Sequence, residues 1–208
     1  MPKKEVPLQT ISDFLPEHSD ALVIEMLHTH KVHLTVTRKR QSILGDYRPA
    51  HSGKPHRISV NGNLNKYSFL ITLLHELAHL LTFVQFQNKV SPHGAEWKKI
   101  FGVLLHQFSK EKIFPEDIQK AIEKSMHNPG ASSCSDIELM RTLRKYDEKK
   151  TGLMTVEQLE NGKVFSIQDG RSFIKGEKNR TRFKCQLVGT KQFYLFHGLY
   201  EVQVSETE

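Results

Sequence analysis

Only two cysteines, Cys134 and Cys185, occur in 208 residues. Two thiols cannot build a disulfide scaffold or a four-cysteine metal knuckle, and so sparse a content suits a reducing compartment. Proline is absent beyond Pro129. No long apolar run is free of polar groups: the longest, around residues 69–86, carries His75, Glu76 and His79 at its centre, which argues against a membrane span. The start, "MPKKEVPLQTISDFLPEH", has basic residues but no apolar stretch behind them, so no secretory signal is expected. Low-complexity tracts and internal repeats are missing as well. These absences lead to the expectation of a soluble, cytoplasmic protein with no membrane partner.

What is present is globular in kind: 38% hydrophobic and 25% charged residues, a net charge of +7 and a pI near 9.3. The length accommodates one ordinary domain and a smaller second one. A basic excess of this size admits nucleic acid or an acidic surface as partner, and is equally what a solvated lysine face produces.

Apolar spacing over 14–28 (Leu22, Val23, Met26, Leu27) predicts one amphipathic helix with Pro16 near its start. "VHLTVTR" alternates as a strand, and "SILGDYRP" and "HRISVNG" read as two more around the turn-rich "AHSGKP". A small antiparallel sheet is expected there. A long helix, apolar nearly all round, follows from about Tyr67 to Phe86 and should cross the core. Trp97, Ile100, Phe101, Leu104, Leu105 and Phe108 then form a helical stripe starting near Gly94, and "PEDIQKAIEKSM" is a further helix with acidic residues in its first turn. "NPGASS" at 128–133 is a breaker. The expected organisation is a domain over 1–128, a linker with a short helix over 129–150, and a β-rich module over 151–208, with about four strands between 157 and 204.

The chemistry concentrates in "LLHELAHLL", residues 73–81. His75 and His79 are one helical turn apart, so their side chains project together and can meet one metal ion at ~2.0–2.1 Å. Glu76 stands ~60° round the helix from His79, placed to reach a water on the metal without ligating it. HExxH is a short pattern that helices also contain by chance. Yet nothing in this apolar helix needs two histidines for packing, and buried polar groups without partners cost ~1–3 kcal/mol each. A catalytic zinc takes three protein ligands and keeps one position open. Thr82 and Gln85 stand where a metzincin has Gly and His, which excludes that class. Glu96 and then Glu111 would serve a gluzincin pattern. His93 in "SPHGAEW" is the better candidate: it precedes the next helix, after a turn that brings the chain back, and Gly94 allows close backbone approach. The nine remaining histidines fit ordinary surface positions.

"HELAH" followed fourteen residues past its second histidine by "HGAEWK" resembles the SprT-like zinc metalloprotease family, related to the Spartan proteases. So does the upstream order of helix, "VHLTVTRKR", "LGDYRP" and "ISVNGNLN". The resemblance covers about residues 12–127. It implies an α+β, zincin-like helical metalloprotease domain with a small sheet. It also implies one catalytic Zn²⁺ on His75, His79 and His93, Glu76 as base, and Trp97 packed under the site. Spartan proteases cleave proteins crosslinked to DNA, and bacterial relatives are often labelled as transcription-related. The chain departs from the bacterial pattern at its end: no CxxC…CxxC zinc ribbon is present, and a β-rich module stands in its place.

That module is basic. Arg171, Lys175, Lys178, Arg180, Arg182, Lys184 and Lys191 fall within 21 residues, interleaved with Phe173, Phe183, Phe193, Tyr194 and Phe196. Cations and aromatics on strands bind single-stranded nucleic acid through phosphates and stacking; aromatics in such strands are more often core. Arg38, Lys39 and Arg40 form a second basic patch. The expected function is therefore a zinc metallopeptidase acting on protein substrates, including DNA-bound ones. The alternatives are a nucleic-acid-binding accessory protein with a structural or regulatory zinc, and a zinc hydrolase for a non-peptide substrate. Arg48, Tyr47 and Tyr67 are the candidates for stabilising the oxyanion.

Overall fold

The computed structural model describes residues 8–38, 40, 43–127, 136–148 and 152–204. The breaker "NPGASS", Cys134 and Lys39 lie outside them. The chain divides into two compact units, residues 1–147 and 148–208.

In the first unit the helix expected over 14–28 begins only at Asp20. A 3-10 turn, Leu8–Phe14, precedes α1, Asp20–Thr29. Pro16 forces the residue before it away from helical geometry, and His18 takes a left-handed φ of 66°. Three strands follow: β1, Val32–Thr37; β2, Gly45–Arg48; β3, His56–Asn61. The sheet is mixed, not antiparallel as expected. Its order is β1-β3-β2, with β1 parallel to β3 and β2 antiparallel to it. Short connections reverse the chain at each step, so the strands run up, down, up. Inserting the third between the first two then forces one parallel pair. Alternation in sequence reveals strands but not their order, which is why the expectation failed.

Helix α2, Lys66–Phe86, opens on Asn65, whose side chain accepts the Ser68 N–H at 2.9 Å. It is buried almost all round, with Phe69, Leu70, Leu73, Leu74 and Leu77 fully enclosed. By length and composition it could cross a membrane, but most of it is covered within this unit. Helix α3, Ala95–Lys110, buries Trp97, Phe101, Leu104, Leu105 and Phe108, as its stripe predicts. Helix α4 is Glu116–His127. Helix α5, Ile137–Arg144, is capped by Asp136, which accepts the N–H groups of Glu138 and Leu139. Its Leu139 and Leu143 join the same core, and Asn65 donates to the Leu143 carbonyl. The short helix expected inside a linker thus packs on the first unit, because two apolar residues at i and i+4 need somewhere to bury.

Among its described residues the second unit holds seven short strands, six of them between 157 and 204 where about four were expected: β4, Leu153–Thr155; β5, Val164–Ser166; β6, Ser172–Ile174; β7, Lys178–Asn179; β8, Arg182–Leu187; β9, Phe193–His197; β10, Glu201–Val204. All pair antiparallel in one curled sheet, ordered β4-β10-β5-β6-β8-β7 with β9 on β8. Val156, Phe165, Phe173, Cys185, Phe196 and Val202 form its own core.

Candidate metal centre

Helix α2 sets His75 and His79 one turn apart, and the loop before α3 brings His93 to them. That loop needs two unusual residues. His93 adopts a left-handed φ of 59°. A Cβ on Gly94 would lie 2.9 Å from the Ser91 carbonyl oxygen, which accepts the Gly94 N–H at 2.9 Å. Gly94 itself has φ −68°, so close approach, not backbone freedom, requires glycine there.

The three Nε2 atoms form a near-equilateral triangle: His79 to His75 is 3.2 Å, His79 to His93 is 3.0 Å and His93 to His75 is 3.1 Å. Three ligands ~2.0–2.1 Å from one tetrahedral ion stand roughly 3.3 Å apart. The set therefore fits a metal ion with almost no rearrangement, and among the described residues it is the one His/Cys/Asp/Glu group so arranged. A proton can serve one of the three contacts at a time; a dication serves all of them. Glu96, in the first turn of α3, and Glu111, at the far end of α3, are not part of this set.

Trp97 lies under all three rings, with centroids 4.6 Å from His75, 5.2 Å from His79 and 4.7 Å from His93. Phe101 stacks behind it at 4.9 Å. The Trp97 indole N–H is buried without a hydrogen-bond partner, a cost of ~1–3 kcal/mol that fits a ring held for its face.

Burial, and then the neighbouring imidazoles His79 and His93, pushes the His75 pKa down to about 3. Burial first and His93 second bring His79 down to about 4, and burial lowers His93. All three stay neutral at neutral pH, which is the form that ligates. Glu76 is displaced the other way, up to about 8, by burial first and the Asp46 carboxylate second; Arg40 and the Tyr47 backbone N–H oppose the rise.

Taken alone, these shifts place a stability maximum of the metal-free protein near pH 6.5. Between about pH 4.5 and 6.5 the unfolded chain protonates the two α2 histidines and ionises Glu76, while the folded chain does the reverse. The unfolded state thus binds at least one extra proton, so stability falls as pH drops, by about 1.4 kcal/mol per unit for each net proton. Above pH 6.5 only Glu76 differs. Its folded pKa is raised, so stability falls again as pH climbs towards 8. Thermal melts of chelator-treated protein should peak near pH 6.5, and Glu76→Gln should remove the alkaline limb. A flat profile from pH 5 to 8 would contradict the burial of these groups.

A cleft of ≈ 410 Å³ opens beside His79, lined among others by Tyr47, Thr82, Phe83, Val90, Pro92 and Trp97. Of the three oxyanion candidates only Tyr47 reaches it; its hydroxyl contacts His56 Nδ1 at 3.0 Å. Arg48 is exposed and bonded to Asp46. Tyr67 packs edge-on against Tyr146 at 4.9 Å, near the opposite end of α2.

The basic residues divide as well. Lys175 is 5% exposed, donates to the Leu159 carbonyl and sits 4.6 Å from the Phe183 ring centre, so it does not belong to an exposed basic face. Arg171 pairs with Asp169 at 2.7 Å. Lys178, Arg180, Arg182 and Lys184 are exposed. Phe173 and Phe196 are core, and Phe183 and Tyr194 pack against it. Phe193, 53% exposed, is left for stacking, with Lys184 4.3 Å from its ring centre. Arg40 is not part of an open patch either, being held by Asn61 and Ser59.

Residues 13–112, which contain Glu76 and all three histidines, match the model of the SprT-like family. Protein SprT of Proteus mirabilis (strain HI4320) is 35% identical over 89 residues, 42% of this chain and 50% of that protein. The chain thus spans about half the length of the curated relative it matches. No solved structure matches it.

Proposed function

Through residues 13–112 the chain belongs to the SprT-like family, and from that premise we propose that it is a zinc-dependent metallopeptidase cleaving protein substrates. The observation that carries this reading is Glu76. A metal held only for structure has no use for a buried carboxylate one residue from a ligand.

His75, His79 and His93 would hold the ion. Bound zinc supplies a Lewis acid for the peptide carbonyl and lowers the pKa of a coordinated water. Glu76 takes the proton from the attacking water on its carboxylate and delivers it to the amine nitrogen of the leaving chain. Trp97 and Phe101 keep the imidazoles oriented and exclude water from their rear. Tyr47, at the cleft wall, would turn its hydroxyl from His56 Nδ1 to donate it to the oxygen where charge develops. Removing one such donor costs ~10²–10³-fold, so Tyr47→Phe should lower kcat by about that factor, with zinc content unchanged.

The test of the reading is metal analysis of the purified chain together with cleavage of fluorescein-labelled casein, with and without chelator. Stoichiometric zinc with no chelator-sensitive cleavage of casein, or of a DNA-bound protein, would sink it.

A second feature favours DNA-bound proteins among the substrates. Lys178, Arg180, Arg182 and Lys184 with the exposed Phe193 give the second unit cations beside a stacking ring. Three or four phosphate contacts on a single strand correspond to a slope of log K against log salt of about −2 to −3. Fluorescence anisotropy of the full chain with a labelled single-stranded oligonucleotide should show that slope, and Arg182→Glu with Lys184→Glu should reduce it. Salt-independent or absent binding removes DNA from the reading and leaves the peptidase.

A further inference from the structure

Gly45 opens β2 directly over the Glu76 side chain. A Cβ there would lie 2.5 Å from Glu76 Oε1, 2.8 Å from its Cγ and 2.9 Å from Thr72 Cγ2. These are far inside contact distance, so at this position glycine supplies room. Two residues on, the Tyr47 N–H bonds the same carboxylate.

The strand is fixed from behind. Arg40 Nε donates to Asn61 Oδ1 at 2.7 Å, one terminal nitrogen donates to Ser59 Oγ at 3.0 Å, and the other reaches the Leu44 and Ser59 carbonyls at 3.3 and 3.4 Å. Asn61, 1% exposed, returns its amide to the carbonyls of Arg40 and Ile43 at 3.3 and 3.0 Å. Its backbone N–H bonds the Leu44 carbonyl at 2.9 Å. Leu44 immediately precedes Gly45, so the Arg40 nitrogen and the Asn61 N–H that share its carbonyl bear on where β2 begins. A rigid planar fork grips several acceptors at once in a way a lysine ammonium cannot.

We propose that Gly45 and the Arg40–Asn61 clamp are positioning residues for the Glu76 carboxylate: the clamp fixes the start of β2, Gly45 leaves the carboxylate its place, and the Tyr47 amide holds it there. This rests on the reading of Glu76 as the base. It assigns a task to Arg40 and Gly45, of which the arginine otherwise passes for surface charge.

The test uses the full-length, zinc-loaded chain and its Gly45→Ala and Arg40→Lys variants, with wild type and Glu76→Gln alongside. Displacing a reacting group by about 1 Å costs ~10²-fold. Gly45→Ala should therefore lose about that factor in kcat on labelled casein, with KM within about threefold. Zinc stoichiometry and chelator competition should match wild type. Arg40→Lys keeps the charge but not the fork, and should lower kcat by about tenfold with KM held. Independently of activity, exchange of the Tyr47 amide in the metal-free protein should accelerate by about tenfold in Gly45→Ala. Wild-type kcat in either variant, unchanged Tyr47 exchange, or loss of zinc in step with loss of activity overturns the proposal. If Gly45→Ala does not fold, Arg40→Lys decides. If wild type shows no cleavage that Glu76→Gln removes, the peptidase reading fails first and this proposal with it.

Discussion

Glu76→Gln should leave zinc bound and lower peptide cleavage by about 10²–10⁴-fold, the range that a positioned general base contributes. The substitution suits the site because it changes charge and basicity but hardly volume. Glu76 is 6% exposed, against Gly45 and Thr72, so a smaller residue would also open a cavity. Gln keeps the carbonyl oxygen that accepts the Tyr47 N–H, and it cannot take a proton near neutral pH. The three imidazoles keep their triangle, so metal content should not change. The measurement is cleavage of labelled casein by metal-verified protein prepared free of contaminating protease. Undiminished cleavage would mean that the proton is carried elsewhere, and the mechanism proposed above would be wrong.

Removing His93 should have an effect of similar size by a different route. Substitution of the outer partners of metal ligands already costs ~10–100-fold in affinity or activity, so loss of a ligand should weaken zinc binding by at least about 10²-fold and abolish cleavage at limiting metal. His93 is the informative choice among the three. His75 is buried in the core, so its loss would confuse folding with ligation, whereas His93 is half-buried on a loop. Its left-handed φ makes His93→Asn a useful companion to His93→Ala, since Asn tolerates that region better than Ala. Both variants should retain the fold when metal-free and lose zinc in competition with a chelator. Wild-type zinc affinity in both would return Glu96 to consideration as third ligand.

The helices and the donor set were largely legible in the sequence. The period of α3 identified its buried face, and "HELAH" with "HGAEW" named the three histidines that the fold draws together. Their spacing is local, or separated by a single turn between two strongly patterned helices, and such signals survive reading one residue at a time. The sheet was less legible. The three strands were found, but their order was not, because pairing is a long-range choice that alternation does not encode. Lys175 shows the same limit: as a residue type it belonged with the basic face, and only the curl of the second unit turned it inward against Leu159 and Phe183.

By itself the sequence determined which side chains can bind a metal, through helical periodicity and the i, i+4 geometry of two histidines. The tertiary structure decided what surrounds them. It brought Trp97 under three rings at once, laid Gly45 against Glu76, set Tyr47 but not Arg48 or Tyr67 at the cleft wall, and committed Arg40 to a clamp. The physical reason is that ligand identity is a property of residue type and local spacing, whereas burial, and with it the opposite displacement of the histidine and glutamate proton affinities, exists only once distant segments have packed together.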